Sequence, residues 1–378
     1  MFWYWLFAGP ALLLAFLSLL GGRKRAAYVM RRLSEEPTNF PPASVIVPVK
    51  GWDEGLRENL AALASLDYPD YELLIAARSA EDIPPGVLPA RARIVLAHGK
   101  DADTGEKVQN LAAAVRATRK VSGIFAFADS DGRVPSGWLR ALAAPLSEPG
   151  VGASTGYRWY TPEPASLWSL LRGVWDAAAG GTLGPGRNRF LWGGATAILK
   201  ETFFEIRVLE YWKNTVSDDY ALSAALRAAG LSIAYAPGAL VPCIEGTGAR
   251  VFFAWARRQM MLTRVHAVNL WRQALVAHVI YCGGMVAGVV ACAGGHAWAA
   301  LVLAAQLAPG MWAGRRRAVL AKRALAGCRD WFRRHGWAHF WLVPAATWIW
   351  LVVLLLSARG DTIRWRGYTY KLKRPPGG

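Results

Sequence analysis

The feature that most constrains this chain stands almost at its start. Residues 2–20, FWYWLFAGPALLLAFLSLL, carry no charge, and Arg23, Lys24, Arg25, Arg31 and Arg32 follow them. About 20 apolar residues in a helix cross the hydrocarbon layer of a bilayer, and Pro10 is tolerated within such a span. A secretory signal carries its positive charge before the apolar run; here the charge comes after it. The run therefore reads as an uncleaved anchor over 1–21, its start outside and the following chain in the cytoplasm.

Similar runs return near the other end. Residues 273–293 and 296–313 are apolar and are separated by Gly294 and Gly295, which predicts a membrane hairpin within 270–313. A basic segment over 314–336 follows, with Arg315, Arg316, Arg317, Lys322, Arg323, Arg329, Arg333 and Arg334. Its Leu, Ala, Trp and Phe interleave with Arg, the pattern of an interfacial helix on anionic lipid. Because this charge sits beside membrane spans, the lipid bilayer and not nucleic acid is the expected partner. A last span is expected over 337–357, then a basic tail over 358–378 that includes Arg359, Arg364, Arg366, Lys371, Lys373 and Arg374. Four full spans put that tail outside, whereas its charge prefers the inside; both topologies stay open.

Composition agrees with a membrane protein. Hydrophobic residues make up 54% and charged residues 19%, with 19 Trp and 44 Lys+Arg against 26 Asp+Glu, a net charge of +18. Disorder needs low hydrophobicity, and an ordinary soluble domain carries more charge. Cys243, Cys282, Cys292 and Cys328 form no C-x-x-C pair, so neither a disulfide framework nor a zinc site is expected.

Residues 42–265 remain as one cytoplasmic domain. Short apolar, β-branched runs at Ser44–Val47, Tyr71–Ala77, Arg93–Ala97 and Ile124–Ala128 read as strands. Leu56, Leu60, Leu63 and Leu66 recur at helical spacing, and Lys107–Thr118 reads as a second helix. The β-α-β alternation predicts an α/β domain with a mainly parallel, doubly wound sheet. Such sheets bind ligands outside the carboxyl ends of their strands, so the loops after Val47, Ala77 and Ala128 are where chemistry is expected.

The loop after the fourth run reads Asp129-Ser130-Asp131-Gly132. Two carboxylates at that spacing can face one hard cation, Mg2+ or Mn2+, shared with a substrate phosphate. An Asp-rich turn without a ligand is the plain alternative. A second acidic pair, Asp218-Asp219, follows Ser217, a candidate N-cap, and Gly230 is placed to stop that helix. Carboxylates in a first helical turn stay ionised, and one facing a cleft can take a proton from an attacking hydroxyl; simple capping explains the pair equally well. Lys107 and Asn110 at the start of their helix suit a phosphate or base contact, or a solvated face. Residues 160–178, with Trp168 and Trp175, read either as an interfacial lid or lipid entrance or as a buried helix.

Four features thus stand in order: SVIVPVKG, ED after the second strand, DSD after the fourth, and DDY on a later helix. Together with "NLAALASLDYPDYELLIAA", "EKVQNLAAAV", "WGGATAILKETF" and "TIRWRGYTYKL", they make the chain resemble processive-type inverting glycosyltransferases of the GT-A fold. Within that group it is most similar to the ceramide glucosyltransferases and the bacterial hopanoid-associated glycosyltransferases. The resemblance covers nearly the whole chain and implies a multi-pass protein of a bacterial-type cytoplasmic membrane, with its catalytic domain in the cytoplasm. It implies Mg2+ or Mn2+ as cofactor, UDP-glucose or UDP-N-acetylglucosamine as donor, and a hydroxyl of a ceramide-like or hopanoid-like lipid as acceptor.

Carried over residue by residue, the resemblance puts Asp82, preceded by Glu81, at the uridine. Asp131 falls at the metal–diphosphate with Asp129 beside it, and Asp219, next to Asp218, falls at the general base. Pro48, Lys50 and Lys107 fall near the nucleotide, and Gly193 and Gly194 line the acceptor. One departure stands out. The family's Q/R-x-x-R-W motif has no complete counterpart in Trp255-Ala256-Arg257-Arg258-Gln259-Met260-Met261-Leu262-Thr263-Arg264. Arg258 and Gln259, or Arg257 or Arg264, are the candidates to support the leaving group, whose charge is usually the largest catalytic term. A polysaccharide synthase and a catalytically impaired membrane scaffold that keeps the fold remain as rival readings.

Overall fold

The computed structural model describes residues 2–35, 39–99, 101–186 and 190–373; Arg374 lies outside them. The chain divides into two compact units that interleave along the sequence. One comprises Val29–Thr161, Leu183–Glu245 and Thr362–Gly378, the other Met1–Tyr28, Pro162–Thr182 and Gly246–Asp361.

The first unit is built on a seven-stranded sheet in the order β3-β2-β1-β4-β6-β5-β7. Its strands are β1 (Ala43–Pro48), β2 (Tyr71–Ala77), β3 (Ala92–Leu96), β4 (Ile124–Ala128), β5 (Val151–Tyr160), β6 (Ala195–Leu199) and β7 (Ser232–Cys243). β3, β2, β1 and β4 run parallel; β1, β2 and β4 are near-continuous apolar runs buried on both faces, while β3 is the half-exposed edge. The helix Leu56–Ala64 buries Leu56, Leu60 and Leu63, and Glu106–Arg116 buries Val108, Leu111, Ala114 and Val115. Each such Leu contributes about 1.5–3 kcal/mol relative to exposure. Ile46, Leu74, Phe125 and Phe127 meet the second of these helices in a core that also holds Phe203, Trp212, Leu222 and Leu226.

β6 breaks the parallel pattern. It runs antiparallel to β4 with Ala128 opposite Ala195, so the chain entering β6 lies at the end where β4 leaves the sheet. The loops after β1, β2 and β4 and the turn before β6 therefore share one end.

Part of the expected basic tail forms a hairpin. β8 (Thr362–Trp365) and β9 (Tyr368–Lys371) pair antiparallel, Trp365 opposite Tyr368. Arg366 and Gly367 make the two-residue turn with φ of 48° and 83°, the left-handed pair that a tight hairpin needs.

The second unit is helical. Two helices, Trp3–Ser34 and Val268–Ala293, are long and apolar enough to cross a membrane; Val343–Ser357 is apolar but shorter. The expected hairpin leg at 296–313 and the first part of the basic segment form one helix, Trp298–Ala324. The Leu, Ala, Arg and Lys beyond residue 313 are strong helix formers, so charge alone does not end the helix. Arg329–His335 is a separate short helix.

The interleaving departs from the contiguous domain expected over 42–265. Pro162–Thr182 and the segment from Gly246 pack with the apolar helices, and the tail joins the sheet unit. Trp175 shows why. It is 1% exposed, stacks on Trp350 at 4.2 Å and meets Trp255 edge-on at 5.4 Å. The lipid-entrance reading of Trp175 is thereby corrected: its ring is core of the helix Leu167–Gly180. Trp168, at 36% exposure, stays on the surface. None of the four cysteines forms a disulfide.

Candidate active site

Three carboxylates act on one lysine, and a fourth, Asp131, feels the charge of Asp129. Lys107, in the first turn of Glu106–Arg116, places Nζ 2.8 Å from Asp129 Oδ1 and 3.1 Å from Asp218 Oδ1. Asp129 follows β4, and Asp218 opens the helix Asp218–Ala228. The turn before β6 closes this cluster at van der Waals distance. A side chain at Gly193 would stand 2.5 Å from Asp218 Oδ2 and 3.1 Å from Lys107 Nζ; one at Gly194 would stand 2.7 Å from Asp129 Oδ2. Only hydrogen fits at either position.

Burial alone pushes the Lys107 pKa down, but Asp129 and Asp218 outweigh it and hold the ammonium above its ordinary value. Burial pushes Asp129 up, and the adjacent Lys107 brings it below the usual carboxylate range. Asp218 goes the other way, raised to about 6 by burial and by Asp219 and Asp129 despite Lys107. Asp131 is likewise raised to about 6 by burial and by the Asp129 charge. Its Oδ1 is buried and makes no hydrogen bond among the described residues.

Asp219 is half-buried beside this pair. Its Oδ1 accepts the Ser217 hydroxyl and, at 2.8 Å, the Tyr220 N–H. Ser217 stands at the N-cap as expected, but its side chain caps no backbone N–H. Gly230, with φ of 69°, lies just past the helix end.

The nucleotide-side residues occupy the neighbouring loops. Pro48 ends β1, and Lys50 pairs with Glu106 Oε1 at 2.6 Å and lies 4.2 Å from the centre of the Tyr368 ring. The Gly51 N–H donates to Asp82 O at 2.7 Å, joining the loops after β1 and β2. The Asp82 side chain accepts from the Ser79 N–H at 3.2 Å and is half-exposed, while Glu81 is exposed. Lys50, Asp82, Lys107, Asp129, Asp131, Asp218 and Asp219 thus belong to the sheet unit. Arg258 and Gln259 lie on Ala249–His266 in the helical unit, both half-buried. On that helix Arg257 Nε donates to Leu356 O at 3.0 Å and Arg264 to Gly360 O, so both cover carbonyls at the end of Val343–Ser357.

Sequence reasoning missed a second layer beneath the acidic loop. The Ser130 hydroxyl donates to Asp53 Oδ2 at 2.6 Å, and buried Asn59 Nδ2 donates to Ser130 O at 3.0 Å. Arg366, at the hairpin tip, bonds Asp53 Oδ1 at 2.5 Å and Lys50 O at 3.2 Å. Tyr370 Oη accepts the Glu106 N–H at 3.4 Å. Arg158 lies 5.0 Å from the Trp192 ring centre, and its charge reaches both Asp129 and Asp131. The signal for the hairpin was present: alternating aromatic residues around Arg366-Gly367 are a strand–turn–strand pattern. Asp53, Ser130 and Asn59 carry no such signal.

The family model described as glycosyl transferase family 21 matches residues 4–376. The chain belongs to that family. It is therefore a glycosyltransferase. Among solved structures it is similar to the mannosyltransferase PcManGT from Pyrobaculum calidifontis, in complex with GDP-Man and Mn2+. That likeness has a TM-score of 0.51 at 18% identity over 93% of this chain and 100% of the other. It also matches glucosyl-3-phosphoglycerate synthase from Mycobacterium tuberculosis, in complex with Mn2+, UDP-Glc and PGA, with a TM-score of 0.41 at 17% identity over 62% and 86%. The first likeness shows the fold, which is GT-A. No curated protein sequence matches the chain.

Proposed function

We propose that this family 21 member transfers a hexose from a nucleotide sugar, UDP-glucose or UDP-N-acetylglucosamine, to a hydroxyl of a ceramide-like or hopanoid-like membrane lipid. The transfer inverts the anomeric centre and takes place at the cytoplasmic face. The observation that carries this reading is the convergence of Asp129, Asp218 and Asp219 on Lys107, with Asp131 in the field of Asp129, at the end of the sheet where ligands bind. The Pyrobaculum calidifontis mannosyltransferase with its GDP-Man and Mn2+ gives a donor and metal of the same chemical kind. The two long apolar helices support the bilayer as the place of reaction.

Among the described residues no group of three His, Cys, Asp or Glu is arranged to hold a metal. A complete protein cage is not needed, however. Mg2+ is usually bound by one or two carboxylates plus substrate phosphates. Asp131, with its buried, unbonded Oδ1, and Asp129 fit that donor set. When bound, the ion neutralises the diphosphate that leaves.

The chain's own groups do the rest. Lys107 keeps Asp129 ionised for its ligand role. Lys50 and Asp82 hold the nucleotide beside the loops after β1 and β2. Asp219 accepts the proton of the acceptor hydroxyl as that oxygen bonds the anomeric carbon and the carbon–oxygen bond to the diphosphate breaks. The electron pair of that bond leaves with the diphosphate, and attack from the opposite face inverts the centre.

The test uses the full chain in nanodiscs containing ceramide or hopanoid, Mn2+ and radiolabelled UDP-sugars. A labelled lipid should form with wild type and vanish with Asp131→Ala and Asp219→Asn. Asp219→Asn should still bind UDP. Turnover by Asp219→Asn at the wild-type rate removes the base assignment. UDP binding without any product from the lipid panel favours the impaired scaffold.

A further inference from the structure

We propose that Arg316 and Arg317, with Arg25 beside them, form a binding site for the phosphate of an anionic membrane lipid. The proposal rests on the bilayer reading but not on the catalytic one, since a hydroxyl-bearing acceptor needs no phosphate.

Three segments of the helical unit meet here: the charged stretch after the first apolar run, the end of Leu167–Gly180, and the basic half of Trp298–Ala324. Missing side chains let the arginines in. A Cβ at Gly22 would stand 2.5 Å from an Arg316 terminal nitrogen, and one at Gly181 would stand 2.8 Å from Arg317 Cδ. Arg316 donates to Leu19 O at 3.4 Å, and Arg25 donates to Gly180 O at 3.4 Å.

Arg317 has little to answer its charge. Arg317 Nε is buried and has no hydrogen-bond partner, and Arg317 makes no ion pair among the described residues. The charges whose field reaches it are Arg25 and Arg316, both positive, and burial together with those two pushes its pKa down to about 10. The helix end at Gly180 offers only about half a negative charge, against two full charges on Arg316 and Arg317. An unpaired, partly buried cation is costly. A phosphate supplies that charge and matches the guanidinium fork with two parallel hydrogen bonds. Basic pockets between helices at the cytoplasmic side of a membrane have this chemistry.

The experiment follows the thermal unfolding of the full chain in neutral detergent micelles. Phosphatidylglycerol, phosphatidylcholine or inorganic phosphate is titrated in. Phosphatidylglycerol should raise the midpoint saturably, while phosphatidylcholine and inorganic phosphate should not. Arg316→Gln/Arg317→Gln should raise the half-saturating concentration about tenfold. Arg329→Gln/Arg333→Gln removes the same charge from exposed positions of the same segment and should leave it within about twofold. Equal weakening in both double variants overturns the site in favour of general attraction. An equal response to inorganic phosphate overturns the lipid assignment. If the glutamine variant does not fold, Arg316→Lys/Arg317→Lys keeps the charge and loses the fork. A phosphatidylglycerol response weakened about threefold or more then supports the site, and an unchanged response removes it.

Discussion

Lys107 holds together groups that would otherwise repel. With it in place, Asp129 and Asp218 share one cation at 2.8 and 3.1 Å. Without it, two buried carboxylates face each other with no counter-charge, a change that typically costs about 3–5 kcal/mol. Lys107→Gln is therefore expected to lower the unfolding midpoint sharply and to abolish transfer. Adding Asp218→Asn should restore part of the stability but not the activity, because the orphaned charge is then gone. Equal stability of Lys107→Gln and wild type, measured by thermal unfolding in detergent, would contradict the buried triad. Gly193→Ala tests the opposite wall: its Cβ would press on Asp218 Oδ2 at 2.5 Å, so turnover should fall while UDP binding, measured by calorimetry, changes less. Full turnover would mean the turn simply yields. That Asp129 and Asp131 follow a buried strand and that Asp218 and Asp219 open a helix was legible, because both are local patterns. The Lys107 bridge was not, because its partners lie 22 and 111 residues away (107 to 129 and 107 to 218) and only the sheet brings them near.

At the scale of elements, the hairpin of β8 and β9 reaches the same end of the sheet from the far end of the sequence. Arg366 ties Asp53, Asp53 ties Ser130, and Ser130 stands between the two acidic residues proposed to hold the metal. The Arg366–Asp53 pair is partly exposed, so its worth to stability is about 1 kcal/mol or less. Its effect should appear in positioning. Arg366→Ala is expected to raise the KM for the UDP-sugar about tenfold, about 1.4 kcal/mol, with little change in unfolding midpoint. Arg366→Lys should recover only part, since a single ammonium cannot bond Asp53 and the Lys50 carbonyl in the same fork. An unchanged donor KM in Arg366→Ala would leave the hairpin a structural ornament. The four parallel strands were readable as uniform apolar runs, with boundaries within a residue or so. β5, β6 and β7 were not assigned, for physical reasons. β5 contains Gly152 and Gly156, and its register with β7 shifts beside both. β7 carries Pro237, Gly238 and Pro242, which read as breaks in isolation. Tertiary pairing overrides those local signals.

The whole molecule is organised by interleaving, and this bears on how it can be divided. Leu167–Gly180 lies within the stretch that sequence alone assigns to one cytoplasmic domain, yet Trp175 stacks on Trp350, and the Trp350 indole N–H donates to Trp175 O at 3.1 Å. Phe252 packs edge-on against the same Trp175 ring at 6.1 Å and is fully buried. A fragment of residues 42–265 would leave Trp175, Phe252 and Trp255 without the helix that covers them. It would also lack the hairpin that carries Arg366. Large contiguous apolar patches of that kind drive association in water. The fragment is therefore expected to aggregate when made without detergent and to bind UDP poorly, whereas the full chain in detergent binds it. Adding back residues 362–373 through a linker should improve UDP binding, through Lys50 and Asp53, without curing aggregation, because the exposed aromatic rings belong to the other unit. Size-exclusion chromatography separates the two effects from calorimetric UDP titration. A monodisperse, UDP-competent 42–265 fragment would show that the aromatic cluster and the hairpin are both dispensable, and that the catalytic unit is contiguous after all.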